Sequence, residues 1–288
     1  MNLILFALAI LALAVGVVVL FSYTIAWCEA ANREPQLMKQ RFKPAVLIFA
    51  VRLMAMEFCY LLATVLAHPL GWVPMTQKAR GQGTPVLLLH GLFHNRSCWW
   101  LFKHRLRQAR SNPVYSMTLN YYRKDIEPLT EAVAKKIDLI RFRHGVERVD
   151  LIGHSMGGLI ARNLIQLREG SDKVRHCVCL GSPHSGSRLA PLAITPVGQD
   201  LIPNSDFPKR LAAAPIPGNV QFTSIFSRND NLVLPFDSGR MEGAHNIELS
   251  GLGHSTLLYH RDAFEASIKR LQKEDKNDPD RNSEQQSG

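Results

Sequence analysis

Residues 149–165 read VDLIGHSMGGLIARNLI. Four residues, three of them apolar, lead to Gly153. His154, Ser155, Met156, Gly157 and Gly158 follow, and the pattern then turns helical. A small hydroxyl at a junction between a buried strand and a helix adds nothing to packing. The G-x-S-x-G spacing gives it a different purpose. Such a serine occupies a sharp, strained turn, and its flanking glycines let neighbouring backbone approach closely. The turn lifts the hydroxyl above the sheet, and the helix N-terminus behind it favours negative charge. A strand before and a helix after are the context this reading requires, and both are predicted here.

Outward from this stretch the chain alternates. Residues 85–89 (PVLLL) are short and wholly apolar, as expected of a central parallel strand. Residues 98–108 look helical, and 114–119 read as a strand. Pro128 opens a helix carrying Leu129, Val133, Ile137 and Ile140 at helical spacing, and Gly145 closes it. Strands follow at 149–152, 176–180, 222–226 and 246–249, with a closing helix at 262–271. Beyond Lys273 the chain is polar and charged, which predicts a disordered tail at 273–288. Strands alternating with helices specify an α/β fold, a mostly parallel central sheet covered on both faces. Ligands of such sheets bind at the carboxyl ends of the strands.

A serine hydroxyl is a weak nucleophile and needs a base oriented by a third group. In a strand–serine–helix architecture the chain order is serine, acid, histidine. Asp230 lies just past the strand at 222–226, with Asp237 and Asp206 as rival acids. His254 follows the strand at 246–249 in a glycine-rich loop, with His245 and His260 as rival bases. The oxyanion needs backbone N–H donors. Met156, directly after the serine, supplies one. Leu92, in the loop after 85–89, is the candidate for the other, and Gly91 lets that chain turn. His90 reads as a structural hydrogen-bonding residue.

The N-terminus is of another kind. Residues 3–21 carry no charge, and with its flanks the apolar run reaches Trp27, matching the ~20 residues a helix needs to cross a bilayer core. Tyr23 and Trp27 fall at one interface. The run is long for a signal peptide and no Lys or Arg precedes it, which favours a retained transmembrane helix at 1–27. Residues 28–44 form a basic loop, with Arg33, Lys39, Arg41 and Lys43 against Glu29 and Glu34. A second apolar helix at 45–67 contains Arg52 and Glu57, each costing about 2.5–3.5 kcal/mol at a bilayer centre. It is either a poorer span or a helix lying on the membrane and packed against the globular domain. The positive-inside rule puts the basic loop in the cytoplasm. A spanning second helix then places the globular domain outside, and a surface-lying one keeps it inside.

The chain has 288 residues and a net charge of +10, with 46% hydrophobic residues, enough for a sizeable core. The basic balance suits an anionic membrane surface or nucleic acid, but no zinc-finger, homeodomain-like or RNP pattern supports the latter. Five irregularly spaced cysteines argue against a disulfide scaffold. Cys177 and Cys179 share a strand face as small core hydrophobes, and no CxxC pair or HExxH motif suggests a metal. The cluster Lys103, His104, Arg105, Arg107 and Arg110 reads as the solvated face of a helix, with contact to anionic head groups as the sharper alternative.

The segments PVLLLHGLF, DLIGHSMGG, LGSPHSG, QFTSIFSRNDNLV and GLGHSTLLY resemble the bacterial α/β-hydrolase lipases and esterases, especially the small triacylglycerol lipases, over residues 84–271. The resemblance implies an α/β-hydrolase catalytic domain at 84–272, here preceded by N-terminal membrane helices that the small lipases lack. It implies Ser155 as nucleophile, His254 as base, Asp230 as orienting acid, and the N–H groups of Leu92 and Met156 as oxyanion donors. Phe93, His184, Leu201 and Phe207 are expected to touch substrate. The insert 188–220 is either a cap over the site or an ordinary surface excursion. The expected function is a membrane-anchored serine hydrolase, at the bacterial inner membrane, that cleaves carboxylic esters of acyl chains through an acyl-enzyme without cofactor or metal. Its partners would be a lipid substrate and the bilayer, not nucleic acid. A thioesterase, acyltransferase or amidase would use the same triad. A non-catalytic membrane binding protein has no reason to keep serine, acid, histidine and both oxyanion loops in register.

Overall fold

Strands β1 (Val86–Leu89), β2 (Val114–Met117), β3 (Val149–His154), β4 (Val174–Leu180), β5 (Gln221–Ser227) and β6 (His245–Leu249) form one sheet. Its order is β2-β1-β3-β4-β5-β6 and every pair is parallel. These observations come from a computed structural model that describes residues 2–39, 42–73, 81, 83–109 and 112–272. Arg41, Arg110 and the predicted tail at 273–288 lie outside the described residues. The helices are α1 (Leu3–Arg33), α2 (Pro35–Met38), α3 (Pro44–Ala67), α4 (Trp100–Ala109), α5 (Ile126–His144), α6 (Met156–Leu167), α7 (Pro196–Asp200), α8 (Asp206–Ala213) and α9 (Arg261–Leu271).

The wholly apolar β1 run is explained by its central place, since it is covered on both faces. Leu87 and Leu89 point to a core shared with α5 and α6, while Val86 and Leu88 point to one shared with α4 and α9. All four are fully buried, each contributing about 1.5–3 kcal/mol on burial. Cys177 and Cys179 are likewise buried in the sheet core, their sulfurs 3.9 Å apart. α5 differs from expectation at its start. It begins at Ile126, so Pro128 sits in the first turn, where a missing N–H costs nothing. It ends on Gly145, whose φ of +62° is the left-handed conformation that glycine adopts freely.

The register aligns the carboxyl ends of five neighbouring strands. Leu89 pairs with Gly153, His154 with Leu180, Leu180 with Ile225, and Ser227 with Leu249. The loops that follow therefore emerge along one edge, carrying Gly91, Ser155, Gly181, Asp230 and His254.

The N-terminal helices pair as a hairpin, joined by Val15, Val19, Tyr23 and Leu53 with Phe58, Leu61 and Val65 against them. Charge placement in α3 follows from what each face meets. Arg52 is exposed, whereas Glu57 is only 1% exposed and turned into the globular domain. Thr64 shares a 2.6 Å hydrogen bond with the Tyr259 hydroxyl, and the Tyr60 and Tyr259 rings stack at 5.0 Å. Past the end of α3, Asn95 donates to the His68 carbonyl at 2.8 Å. In α1, by contrast, Leu3, Ile4 and Leu13 stand exposed.

Candidate active site

Ser155 sits between β3 and α6 with φ +53° and ψ −122°, a conformation L-residues rarely hold. Its amide donates to the Leu180 carbonyl at 2.8 Å, which pins the turn to the next strand. The neighbouring glycines are needed for space. A Cβ on Gly157 would lie 2.3 Å from the Leu89 carbonyl oxygen, and one on Gly153 would lie 2.4 Å from Gly157 and Gly158 backbone. A Cβ on Gly91 would come within 2.9 Å of the Ser155 Cβ, so the β1 loop runs directly over the serine. Leu92 is the next residue of that loop, and Met156 the next after the serine. Phe93, next in that loop, has φ +60° and packs edge-on against Tyr121 at 6.1 Å.

Asp230 and His254 meet, both buried. His254 Nδ1 and Asp230 Oδ2 are 2.8 Å apart. The other carboxylate oxygen, Oδ1, accepts from the amides of Leu232 and Val233 at 2.8 and 2.9 Å. The rival residues go elsewhere. Asp237 pairs with Arg33 at 2.7 Å, which holds its carboxyl below the usual range, and Asp206 opens α8. His245 starts β6 and His260 precedes α9. Gly181 stands beside the pair. A Cβ there would be 3.3 Å from both Asp230 Oδ2 and His254 Nδ1.

His154 links the serine turn to the histidine loop. Its Nε2 lies 3.1 Å from the His254 carbonyl oxygen, and the two rings are 4.6 Å apart. His94 stacks on His154 at 5.7 Å. Burial pushes His90 down to about 4, His94 down to about 3 and His154 well below the ordinary imidazole value, so all three are neutral near pH 7. His254 is the exception. Burial lowers it too, but the Asp230 charge and hydrogen bond, with the Glu57 charge, outweigh this and raise it above its ordinary value. Of the four imidazoles clustered here, His254 is the one kept basic. His90 is structural, bonded at 2.8 Å to the Gly91 carbonyl through Nδ1 and to the Leu119 amide through Nε2.

Of the residues expected to touch substrate, Phe93 in the β1 loop is 56% exposed, but the other three are buried. His184 Nδ1 lies 3.1 Å from Arg162, a donor, and its Nε2 lies 3.1 Å from Ser224, so neither ring nitrogen is free. Leu201 and Phe207 join the main core. The insert 188–220 thus packs much of its apolar content inward, although Leu192 and Ile194 stay exposed. The basic cluster on α4 is partly turned inward as well. Lys103 reaches the Ser116 hydroxyl at 3.2 Å, with burial lowering its pKa to about 8, and Arg105 donates to the Tyr259 carbonyl at 2.7 Å.

Sequence reasoning passed over Asn231 and Ser22. The His254 amide donates to Asn231 Oδ1 at 3.0 Å, and Asn231 Nδ2 donates to Ser22 Oγ of α1 at 2.7 Å. It noted Glu57 only as a charge in an apolar run. That charge was the available signal, because a carboxylate in such a run is retained only with partners.

A family model described as a PGAP1-like alpha/beta domain matches residues 80–194. A triacylglycerol lipase of Pseudomonas fragi is 31% identical over 114 residues, covering 37% of this chain and 36% of that enzyme. A triacylglycerol lipase of Burkholderia plantarii is 30% identical over 113 residues, covering 37% and 31%. The chain thus matches about a third of the length of these curated relatives. Among solved structures, the mature Bacillus licheniformis lipase BlEst2 superposes with a TM-score of 0.59 at 18% identity, covering 69% of this chain and 95% of that one. Aspergillus fumigatus lipase B superposes with a TM-score of 0.58 at 22% identity, covering 65% and 52%. The chain carries an α/β-hydrolase fold. The α/β-hydrolase sheet is what brings the serine turn, the acid loop and the histidine loop to one edge.

Proposed function

We propose that this α/β-hydrolase is a serine hydrolase that cleaves carboxylic esters of acyl chains at a membrane surface. The buried 2.8 Å contact between His254 and Asp230, beside the strained Ser155 turn, carries the reading. Asp230 accepts a hydrogen bond from Nδ1–H, which keeps the proton on Nδ1 and leaves Nε2 with a lone pair for the serine proton. Ser155 Oγ then attacks the ester carbonyl. The developing oxyanion is stabilised by the N–H groups of Leu92 and Met156, the latter at the positive end of α6. The protonated His254 passes its proton to the leaving alcohol, and an acyl-enzyme remains. Water then gives a proton to His254 as its oxygen attacks the acyl carbon, and His254 returns that proton to Ser155 Oγ as the Oγ–carbon bond breaks and the acid leaves. No step calls for a metal or cofactor.

The bilayer reading rests on the outer faces of α1 and α3. Mean hydropathy over their most apolar windows is 3.2 and 2.0, with only 11% and 17% of those windows covered by the rest of the chain. Exposed apolar surface of that extent suits lipid. The inner face of the hairpin holds the catalytic domain, so the active site is kept at the bilayer instead of swinging on a linker.

The test is hydrolysis of a p-nitrophenyl ester series from acetyl to palmitoyl by the detergent-solubilised chain and its Ser155→Ala variant. Serine-dependent cleavage is expected, with the chain-length optimum defining the acyl pocket. Cleavage by Ser155→Ala near the wild-type rate would refute the assignment.

A further inference from the structure

Glu57 lies in α3, about 200 residues before the loop it meets. Its carboxylate, 1% exposed, accepts three hydrogen bonds from the two residues that follow His254. The Ser255 amide donates to Oε1 at 2.7 Å, the Thr256 amide to Oε2 at 2.9 Å and the Thr256 hydroxyl to Oε2 at 2.7 Å. On the other side of His254, a Cβ on Gly253 would fall 2.3 Å from Glu57 Oε2 and 2.5 Å from the Tyr23 hydroxyl. The loop is thus fitted against both hairpin helices with no room for a side chain between. A third tie is the chain from the His254 amide through Asn231 to Ser22. A membrane anchor that only tethered the domain would need none of these. A buried carboxylate is costly unless fully bonded, and among the described residues this one is bonded to the histidine loop alone.

We propose that Glu57 is a positioning residue of the hydrolase: its carboxylate holds the loop that carries His254, so that α3 as well as Asp230 aligns the imidazole. The inference rests on the serine-hydrolase reading. The charged and titratable groups around His254 are Asp230 from the β5 loop, Glu57 from α3, Tyr23 from α1, His154 from the serine turn and His94 from the β1 loop. Removing the Glu57 charge takes away one of the influences that raise His254, so its titration moves to lower pH.

The experiment uses the full chain in detergent, with Glu57→Gln, Thr256→Val and Ser155→Ala. Turnover is measured across pH per active site, counted with a fluorophosphonate probe, and His254 is titrated by imidazole ¹⁵N NMR, which needs no turnover. Glu57→Gln presents an amide to N–H donors. It is expected to lower kcat roughly 10- to 100-fold with KM little changed, as for a displaced catalytic group. Its acidic limb and NMR titration move together to lower pH. Thr256→Val removes one bond and keeps the charge, so kcat falls less and the titration stays in place. Wild-type kcat per active site with an unmoved titration in Glu57→Gln overturns the proposal, even if that variant melts earlier. If Glu57→Gln does not fold, unchanged kcat in Thr256→Val overturns it. If Ser155→Ala still cleaves ester, the hydrolase reading has failed, and the His254 titration alone decides the role of Glu57.

Discussion

Asp230→Asn changes one atom and is expected to disable the enzyme through the tautomer of His254. Oδ1 of Asp230 accepts from two amides, Leu232 and Val233, while Oδ2 faces His254 Nδ1 at 2.8 Å. An asparagine keeps its carbonyl where the two amides require an acceptor, so its NH₂ points at Nδ1. The imidazole then accepts at Nδ1 and carries its proton on Nε2, where it can no longer receive one from Ser155. Flipping the amide restores the tautomer but leaves two buried N–H groups facing NH₂, at about 1–3 kcal/mol each. The wrong tautomer therefore prevails. The expected loss is roughly 10³–10⁴-fold in kcat, or about 4–5.5 kcal/mol of transition-state stabilisation. Steady-state hydrolysis of a short p-nitrophenyl ester measures it, with Tm as the control for folding. A folded variant within tenfold of wild type would refute the reasoning and remove Asp230 from the site.

Three further outcomes follow from the same geometry. Because His254 must be neutral to accept a proton and its pKa is raised, kcat/KM is expected to fall on the acid side with an apparent pKa above the ordinary imidazole value. A limb below that value contradicts the assignment of the base. Ser155→Gly relieves the strain at φ +53° and should raise Tm while abolishing turnover, the strain being about 1–3 kcal/mol; an unchanged or lower Tm counts against stored strain. Gly157→Ala forces a methyl against the Leu89 carbonyl, and backbone has nowhere to move, so a loss of about 1–3 kcal/mol is expected in denaturant unfolding. Stability equal to wild type would mean that β1 and the serine turn do not meet as described.

The strands, the serine turn and the order of serine, acid and histidine were readable because their signals are local. β-Branched and apolar runs of four to seven residues, a glycine on each side of Ser155 and a glycine-rich loop before His254 each act over a few neighbours. The alternation of strand and helix then implies a parallel sheet, and parallel strands bring their following loops to one edge. Burial was less readable. Leu201 and Phe207 look like groove residues in an insert, and their apolar character is the same whether they face substrate or core. His184 resembles a site histidine until Arg162 and Ser224 occupy its ring.

The sequence by itself determined the α/β architecture, the place of Ser155 on its turn, and the existence of two helices apolar enough to meet lipid. Only the tertiary structure decided what those helices do on their other side. Hydropathy measures how poorly a face mixes with water and carries no information about whether lipid or protein covers it. The partners of Ser22 and Glu57 stand 209 residues away at Asn231 and 198 residues away at Ser255. No local pattern reaches that far. Only when the chain folds does the charge that looked misplaced in an apolar helix find the three donors that make its burial tolerable.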